Sequence, residues 1–581
     1  MLPDSPFILL DDARPGGNAR LYAEPVEIVT GDVAEGLERL KAAQAKGLHA
    51  AGFLTYEASE GLEPSAWQRP AGGEQPRLWF GLFERYEAVA DVPALLPDPA
   101  GAWAGTPQPW ITRDQYGEQI ARVAELIAAG DIYQTNLTFR AWVRHAGSPA
   151  ALYALLRGRA AAGYGALVST GEQWLLSFSP ELFFSVESGT LTARPMKGTA
   201  VRGLSEAEDA ALAESLASDP KQRAENLMIV DLMRNDLSRV ARPGSVAVPQ
   251  LFHVERYPTV HQMVSTVTAD LAKGLDAVDA LKALFPCGSI TGAPKVRAMQ
   301  VIGEVEGAAR NIYTGAIGRL DANGDAMFNV AIRTLMLDPT SDAAVIGLGS
   351  GVVADSNAEE EWQECLAKGA FVTAGDVPFD LIETMAFDPD TGIPLLERHL
   401  ARMKASAQLF GFAFDRHMVR NELQAATFRL SKPTRVRLLL ARSGAIAIGV
   451  APMPEAPAGP VQVAIMPLQV APDDFRLRHK TSLRGFYARH GQAFETLYTD
   501  PDGYLTEGCF TSVFVERNGK LVTPPLTRGL LPGVLRAELI GSGRAVEGDL
   551  RPEDLEGGFF IGNALRGLVS AVTFAQCSTA P

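Results

Sequence analysis

Apolar and polar positions along these 581 residues change period repeatedly, and each change marks an element. Before about residue 105 short strand-like runs alternate with turns, and residues 76–83 read as a strand. Apolar residues then recur at helical spacing across residues 114–129 (Ile120, Val123, Leu126, Ile127), and Gly130 ends that helix. Strand-like runs follow at 174–178, 181–186, 315–320 and 344–348, with helical stretches at 224–237 and 358–368. This is an α+β pattern with much antiparallel sheet. A seam falls between Gly369 and Pro378. After it, residues 379–387 read as strand and 395–409 as helix. The segment 451–460, APMPEAPAGP, predicts a loop or stiff connector between two lobes.

The length exceeds what one hydrophobic core supports, roughly 250–300 residues, so at least two domains are expected. The divisions implied are 1–372 and 378–581. With 53 Lys and Arg against 68 Asp and Glu, the net charge of −15 offers no basic excess for nucleic acid or an anionic membrane. No apolar run approaches the roughly 18 residues of a membrane span. The four cysteines, Cys287, Cys365, Cys509 and Cys577, form no CxxC pair, which fits a reducing, cytoplasmic setting.

Two lysines carry the candidate chemistry. Lys197 lies in Arg194-Pro195-Met196-Lys197-Gly198-Thr199, and Lys480 in His479-Lys480-Thr481, upstream of Thr506-Glu507-Gly508. Around the first stand Gly130-Asp131-Ile132-Tyr133-Gln134, Ser179-Pro180-Glu181, Glu225-Asn226 followed by DLMRND, FPCGSITGAPK at 285–295, and Tyr313-Thr314-Gly315. Gly349-Ser350-Gly351 and Glu361-Trp362-Gln363-Glu364 complete the set. In this order they resemble the chorismate-utilising enzymes. The resemblance implies a two-layer α/β sandwich with its site between the sheets. Glu361 and Glu364, at i and i+3, share a helix face. With Glu225 they resemble the family's Mg²⁺ ligands, and a hard cation suits such oxygens. Lys368 and Arg333 resemble its carboxylate-binding cations. Thr291, Gly292, Tyr313, Gly349, Ser350 and Gly351 fall on substrate-lining positions. The glycines of the last three permit close backbone approach to an anion. His261 resembles a histidine near the leaving hydroxyl.

Two positions discriminate within the family. Members that use water as nucleophile carry a lysine base where Gln134 stands, so glutamine points to ammonia. Anthranilate-forming members typically have alanine where Lys197 stands. Lysine there implies formation of 4-amino-4-deoxychorismate, with Lys197 as a covalent nucleophile. Met196 departs from the isoleucine of the family pattern, a swap of similar volume. No cysteine sits in a Gly-x-Cys-x-Gly elbow, so ammonia is expected from solution or from a separate glutamine amidotransferase subunit.

The second half changes kinship. Leu381-Ile382-Glu383-Thr384-Met385, Glu397 to Met403, the Lys480 and Glu507 segments, Thr523-Pro524-Pro525-Leu526 and Gly529 to Arg536 resemble the two-lobed fold-type IV pyridoxal phosphate enzymes. The resemblance implies that Lys480 binds the cofactor covalently and later moves a proton. It places Glu507 at the pyridine nitrogen, and Arg402, Val534, Leu535 and Asn563 at the phosphate, where paired N–H donors and a helix start suit an anion. Thr384 falls where a threonine aids proton delivery to a leaving pyruvate. A homodimer through this half is an assembly the resemblance allows. Together the halves imply synthesis of 4-aminobenzoate, a folate precursor. The alternatives are an anthranilate-forming half joined to a branched-chain or D-amino-acid aminotransferase, or a second half that serves only as a docking module.

Overall fold

The computed structural model describes residues 2–67, 75–203, 205–257 and 260–574. Cys577 lies outside them. The chain divides into two compact units, and the dividing point late in the chain falls between Ala374 and Gly375. The second unit also takes in two segments of the earlier chain, 97–105 and 145–152.

In the first unit, two large, mainly antiparallel sheets face one another. One runs Gly292–Ala293, Gln134–Ala146, Ala343–Val352, Thr334–Leu337, Trp174–Ser179, Tyr164–Ser169, Phe7–Asp11, Ala19–Ala23, Glu87–Val89 in spatial order. The other runs Met196–Val201, Val260–Asp270, Thr190–Arg194, Leu182–Glu187, Ala326–Val330, Ala316–Leu320, His49–Leu54, Leu78–Phe83, Glu27–Thr30. Ile8, Tyr22, Val168 and Leu175 of the first meet Phe53, Trp79, Phe83 and Ile317 of the second in one buried cluster. Helices cover the outer faces, so the sandwich has helical layers outside its two sheets. The helix Pro220–Ser238 sends Ile229, Val230, Met233 and Leu237 into the core behind the second sheet.

Local rules account for several of these elements. The helix Arg113–Ala128 starts at a capping box between Thr112 and Gln115, buries Tyr116, Ile120, Val123 and Leu126, and stops before Gly130 at φ +81°. The longest relevant ladder pairs Ala343–Val352 with Gln134–Ala146 in antiparallel register from Ala343 opposite Arg144 to Val352 opposite Thr135. The sequence pattern ends this strand near Leu348. It runs on to Val352, so Gly349-Ser350-Gly351 is strand rather than a turn.

The second unit has two lobes. Leu381–Phe387, Thr434–Leu440 and Ile446–Pro452 form an antiparallel sheet against the helices Leu396–Phe410 and Arg416–Thr427. Trp103, from the segment 97–105, packs edge-on against Phe410 with ring centroids 4.8 Å apart. An eight-stranded sheet follows, and the predicted connector begins inside the strand Ile446–Pro452 and continues as loop.

Phe53 is fully buried between the first unit's sheets and stacks on Trp79. Phe53→Ala is expected to cost about 3–5 kcal/mol, read as a lowered urea midpoint for the first unit. A loss below about 1 kcal/mol would contradict the facing of the two sheets at this point.

Candidate active sites

Lys197 rises from the strand Met196–Val201 and Glu225 from the helix Pro220–Ser238, and their Nζ and Oε2 atoms lie 3.5 Å apart, both largely buried. Opposite them is Gly351. A Cβ built there would stand 2.8 Å from Lys197 Nζ, 3.0 Å from Asn136 Oδ1 and 3.0 Å from Gln134 Nε2. The absent side chain is therefore what lets an amine and two carboxamides share one space. Gln134 is 1% exposed, yet neither atom of its amide has a hydrogen-bond partner. Buried polar atoms are nearly always paired, so an unpaired amide at this point marks a place for a polar ligand.

The neighbouring residues of this segment make contacts of their own. Gly349 gives its carbonyl to Lys368 Nζ at 2.9 Å, and Ser350 turns its hydroxyl to Tyr116 at 2.9 Å. Gly292 has φ +152°, and a Cβ there would strike the Gln134 carbonyl, so the position demands glycine. Thr291 receives the Asn136 N–H on its carbonyl (2.8 Å) and spends its own hydroxyl on the carbonyls of Cys287 and Gly288. The Tyr313 ring covers Gly347, where any side chain would collide with it, and burial raises the phenol pKa. Arg333 has no carboxylate partner among the described residues, and burial holds its guanidinium below its ordinary value. It remains available to an anion.

The three expected metal ligands are engaged separately. Glu225 faces Lys197, Glu364 pairs with Lys368 at 2.7 Å, and Glu361 Oε1 accepts from Ser356 at 2.7 Å. Among the described residues, no three His, Cys, Asp or Glu side chains are drawn close enough to enclose an ion. Burial pushes the Glu364 carboxyl up, but Lys368 and Lys197 hold it below its usual range. Glu361 Oε2 is buried with no partner. That unpartnered oxygen, on the same helix as Glu364, is chemically suited to a hard divalent cation such as Mg²⁺. His261, fully buried, contacts Asp209 at 2.8 Å, and Asp209 is held in turn by Arg202. Its Nε2 is thus engaged with Asp209, while its Nδ1 has no hydrogen-bond partner.

Glu181 was visible in a motif without an assigned role. It is 5% exposed, accepts from Ser289 Oγ at 2.7 Å, and is pushed up to about 7 by burial, against the pull of Ser289, Lys197 and Lys368. It is a titratable group set beside both lysines.

In the second unit, Lys480 lies in a cavity of about 420 Å³ between the lobes, with Thr384, Arg402, Glu507, Val534, Leu535 and Asn563 all on its wall. Burial lowers the Lys480 amine to about 7, with Glu383 opposing and Arg402, Arg484 and Arg437 assisting. Glu507 accepts from Tyr487 OH (2.5 Å) and Leu531 N (3.0 Å), both on Oε1, and burial raises it to about 6. Val534 opens the helix Val534–Gly541 behind Gly533. Asn563 spends its side chain on a turn, accepting from Leu565 and Arg566 and donating to the Phe510 carbonyl.

Glu383 was not singled out from the sequence. Burial pushes its carboxyl up, but Arg402 and His399 overcome that and hold it at about 2. Arg402 grips it through two nitrogens, at 2.9 and 2.6 Å, and gives a third bond to the Pro532 carbonyl. The guanidinium is thereby fixed at the cavity wall. Thr384 stands directly opposite Arg437 in the sheet, with Arg435 two residues along the same face. A buried lysine of lowered pKa, a buried carboxylate with one oxygen free of those bonds, and a wall rich in arginine fit pyridoxal phosphate.

A family model described as chorismate binding enzyme matches residues 16–374, and one described as amino-transferase class IV matches residues 380–573. The chain belongs to the chorismate binding enzymes and carries a class IV amino-transferase region after them. Aminodeoxychorismate synthase component 1 of Klebsiella aerogenes is 45% identical over 258 residues, covering 44% of this chain and 57% of the relative. The chain thus spans little more than half of that relative's length. Anthranilate synthase component 1 of Methanothermobacter marburgensis is 35% identical over 337 residues, 55% of this chain and 72% of the relative. Among solved structures, anthranilate synthase component I from Streptococcus pneumoniae TIGR4 superposes with a TM-score of 0.53 at 28% identity, over 64% of this chain and 94% of that one.

Only a neutral amine condenses with an aldehyde. Lys480 sheds its proton as pH rises through about 7, so the rate at which the protein captures pyridoxal phosphate should climb between about pH 6 and 8 and then level. The visible absorbance of the complex reports it. A climb centred near the ordinary lysine value of about 10.4 would overturn the lowered value.

Proposed function

We propose that the chain makes 4-aminobenzoate from chorismate in two stages. The first unit aminates chorismate to 4-amino-4-deoxychorismate, and the second eliminates pyruvate from that intermediate. The observation that carries the reading is the pair of lysine settings. Lys197 Nζ faces Glu225 across 3.5 Å beside the carboxamides of Gln134 and Asn136, and Lys480 lies in an arginine-rich cavity with Glu507. The 45% identity to an aminodeoxychorismate synthase component supports the first stage.

In the first unit, Lys197 Nζ adds to ring C2 while the C4 hydroxyl takes a proton and leaves as water. Ammonia then adds at C4 as the bond from C2 to Nζ breaks. Two displacements give retention at C4. Arg333 and Lys368 would bind carboxylate. A divalent cation held by Glu225, Glu361 and Glu364 would neutralise substrate charge there. Ammonia comes from solution or from a separate glutamine amidotransferase subunit.

In the second unit, bound pyridoxal phosphate supplies an electron sink at the amine-bearing carbon. Arg402 and the N–H groups of Val534 and Leu535 would hold its phosphate, and Glu507 would serve its ring nitrogen. Lys480 removes the C4 proton, and Thr384 delivers a proton to the departing three-carbon group. Arg435 and Arg437 present guanidinium groups to the substrate's carboxylates from the Thr384 face. Aromatisation drives the step, and no amino acceptor is needed. The reading includes a cytoplasmic location and a homodimer through the second unit.

Chorismate, ammonium, Mg²⁺ and pyridoxal phosphate together should yield 4-aminobenzoate; anthranilate as the product would overturn the proposal. Lys197→Ala should lower amination by about a hundredfold or more, the scale of losing one reacting group, while supplied 4-amino-4-deoxychorismate is still converted. Lys480→Ala should do the reverse and accumulate that intermediate, as followed by chromatography.

A further inference from the structure

We propose that Asn136 and Gln134 form the seat of the attacking ammonia beside Lys197, with Asn136 as the residue that selects it. This deepens the amination reading and rests on it. The two residues are i and i+2 on the strand Gln134–Ala146, so their side chains leave the same face. Asn136 is held from several directions. Its N–H bonds the Thr291 carbonyl at 2.8 Å, its carbonyl accepts from Arg310 at 2.8 Å, and Gly351 lies opposite it in the ladder. Its side-chain Nδ2 donates to the Ser289 carbonyl at 2.7 Å. That bond settles which end of the carboxamide points where, because only the nitrogen can donate. Oδ1 is left aimed at the gap over Gly351, 3.0 Å from the point where Lys197 Nζ comes within 2.8 Å.

The gap thus has an acceptor oxygen from Asn136, an unpartnered buried amide from Gln134, and the Lys197 amine. Ammonia brings three N–H donors and one lone pair. With one N–H taken by Asn136 Oδ1, the incoming nitrogen is anchored beside Lys197. Water in the same place is the weaker nucleophile, and the two carboxamides give it no basic group of their own. His261, the fully buried imidazole, is engaged with Asp209. The step balances within the site: the N–C4 bond forms, the C2–Nζ bond breaks, the ring double bonds shift back, and one proton passes from the incoming nitrogen to the departing Lys197 amine.

The test is steady-state amination by full-length Asn136→Leu with Mg²⁺ and saturating chorismate while ammonium chloride is varied, beside a titration of chorismate binding. Loss of one hydrogen bond to the nucleophile should raise the ammonium KM about tenfold and leave chorismate affinity within about twofold. Asn136→Ser, which withdraws the same oxygen without adding bulk, should behave alike and stands in if the leucine variant does not fold. An unchanged ammonium KM in a variant that still binds chorismate overturns the seat. So does a joint loss of chorismate affinity and ammonium response in both variants. If the wild type makes no amino product from chorismate and ammonium, the amination reading falls and the seat falls with it; normal wild-type amination with an unaltered Asn136 variant removes the seat alone.

Discussion

The ladder between Ala343–Val352 and Gln134–Ala146 is the constraint on which the first site depends. Its register sets Gly351 opposite Asn136 and leaves Gln134 and Asn136 on one face. Were the pairing shifted by one residue, both carboxamides would turn to the other face of the sheet. The site also needs the absence of a side chain at Gly351, because a methyl group there would fall within 3.0 Å of three polar groups. Helices then bring the charges to this fixed floor. Pro220–Ser238 delivers Glu225, and Ala358–Gly369 delivers Glu361, Glu364 and Lys368 on neighbouring turns.

Electrostatics in the two units solve opposite problems. In the first, carboxylates are matched one by one with lysines: Lys197 at Glu225, Lys368 at Glu364, Lys221 at Asp355. In the second, the excess is positive. Burial and surrounding arginines drive the Lys480 amine toward neutrality, while Glu383 is the buried carboxylate that restrains the trend and pins Arg402. A nucleophilic amine needs the unprotonated state, and a cation-rich cavity favours both that state and the binding of an anion. One arrangement of charge therefore serves reactivity and recognition together.

The relatives bear on the two halves unequally. The match to the chorismate binding enzymes extends over residues 16–374, and relatives named for two different amination products fall within it. Lys197 is held 3.5 Å from Glu225 and beside the Gly351 gap, and the proposed amination rests on that placement. Lys480 and Glu507 stand on the wall of a cavity of about 420 Å³, with the buried Glu383 behind Arg402. Ionisable groups with strongly shifted protonation gathered at one cavity favour a reactive site over a docking surface.

Much of the architecture was legible from the residues alone, because period and end signals are local. The helix starting at Arg113 declared itself by its apolar spacing and by Gly130, whereas nothing in the local pattern assigns segments 97–105 and 145–152 to the second unit. Motif order named Lys197, Lys480, Glu225 and Glu507, since a motif is a linear object. Tertiary contact decided the rest. Gly349-Ser350-Gly351 reads as a turn until a partner strand extends it, and Glu383 reads as an ordinary strand residue until Arg402, nineteen positions away, closes on it. Tyr487 reaches Glu507 only through the fold, and Trp103 joins the second unit from far up the chain. Sequence order shows which groups exist and how their backbone is disposed locally. Burial, and with it the protonation state and free valence of each group, follows from distant segments packing together, which no local pattern encodes.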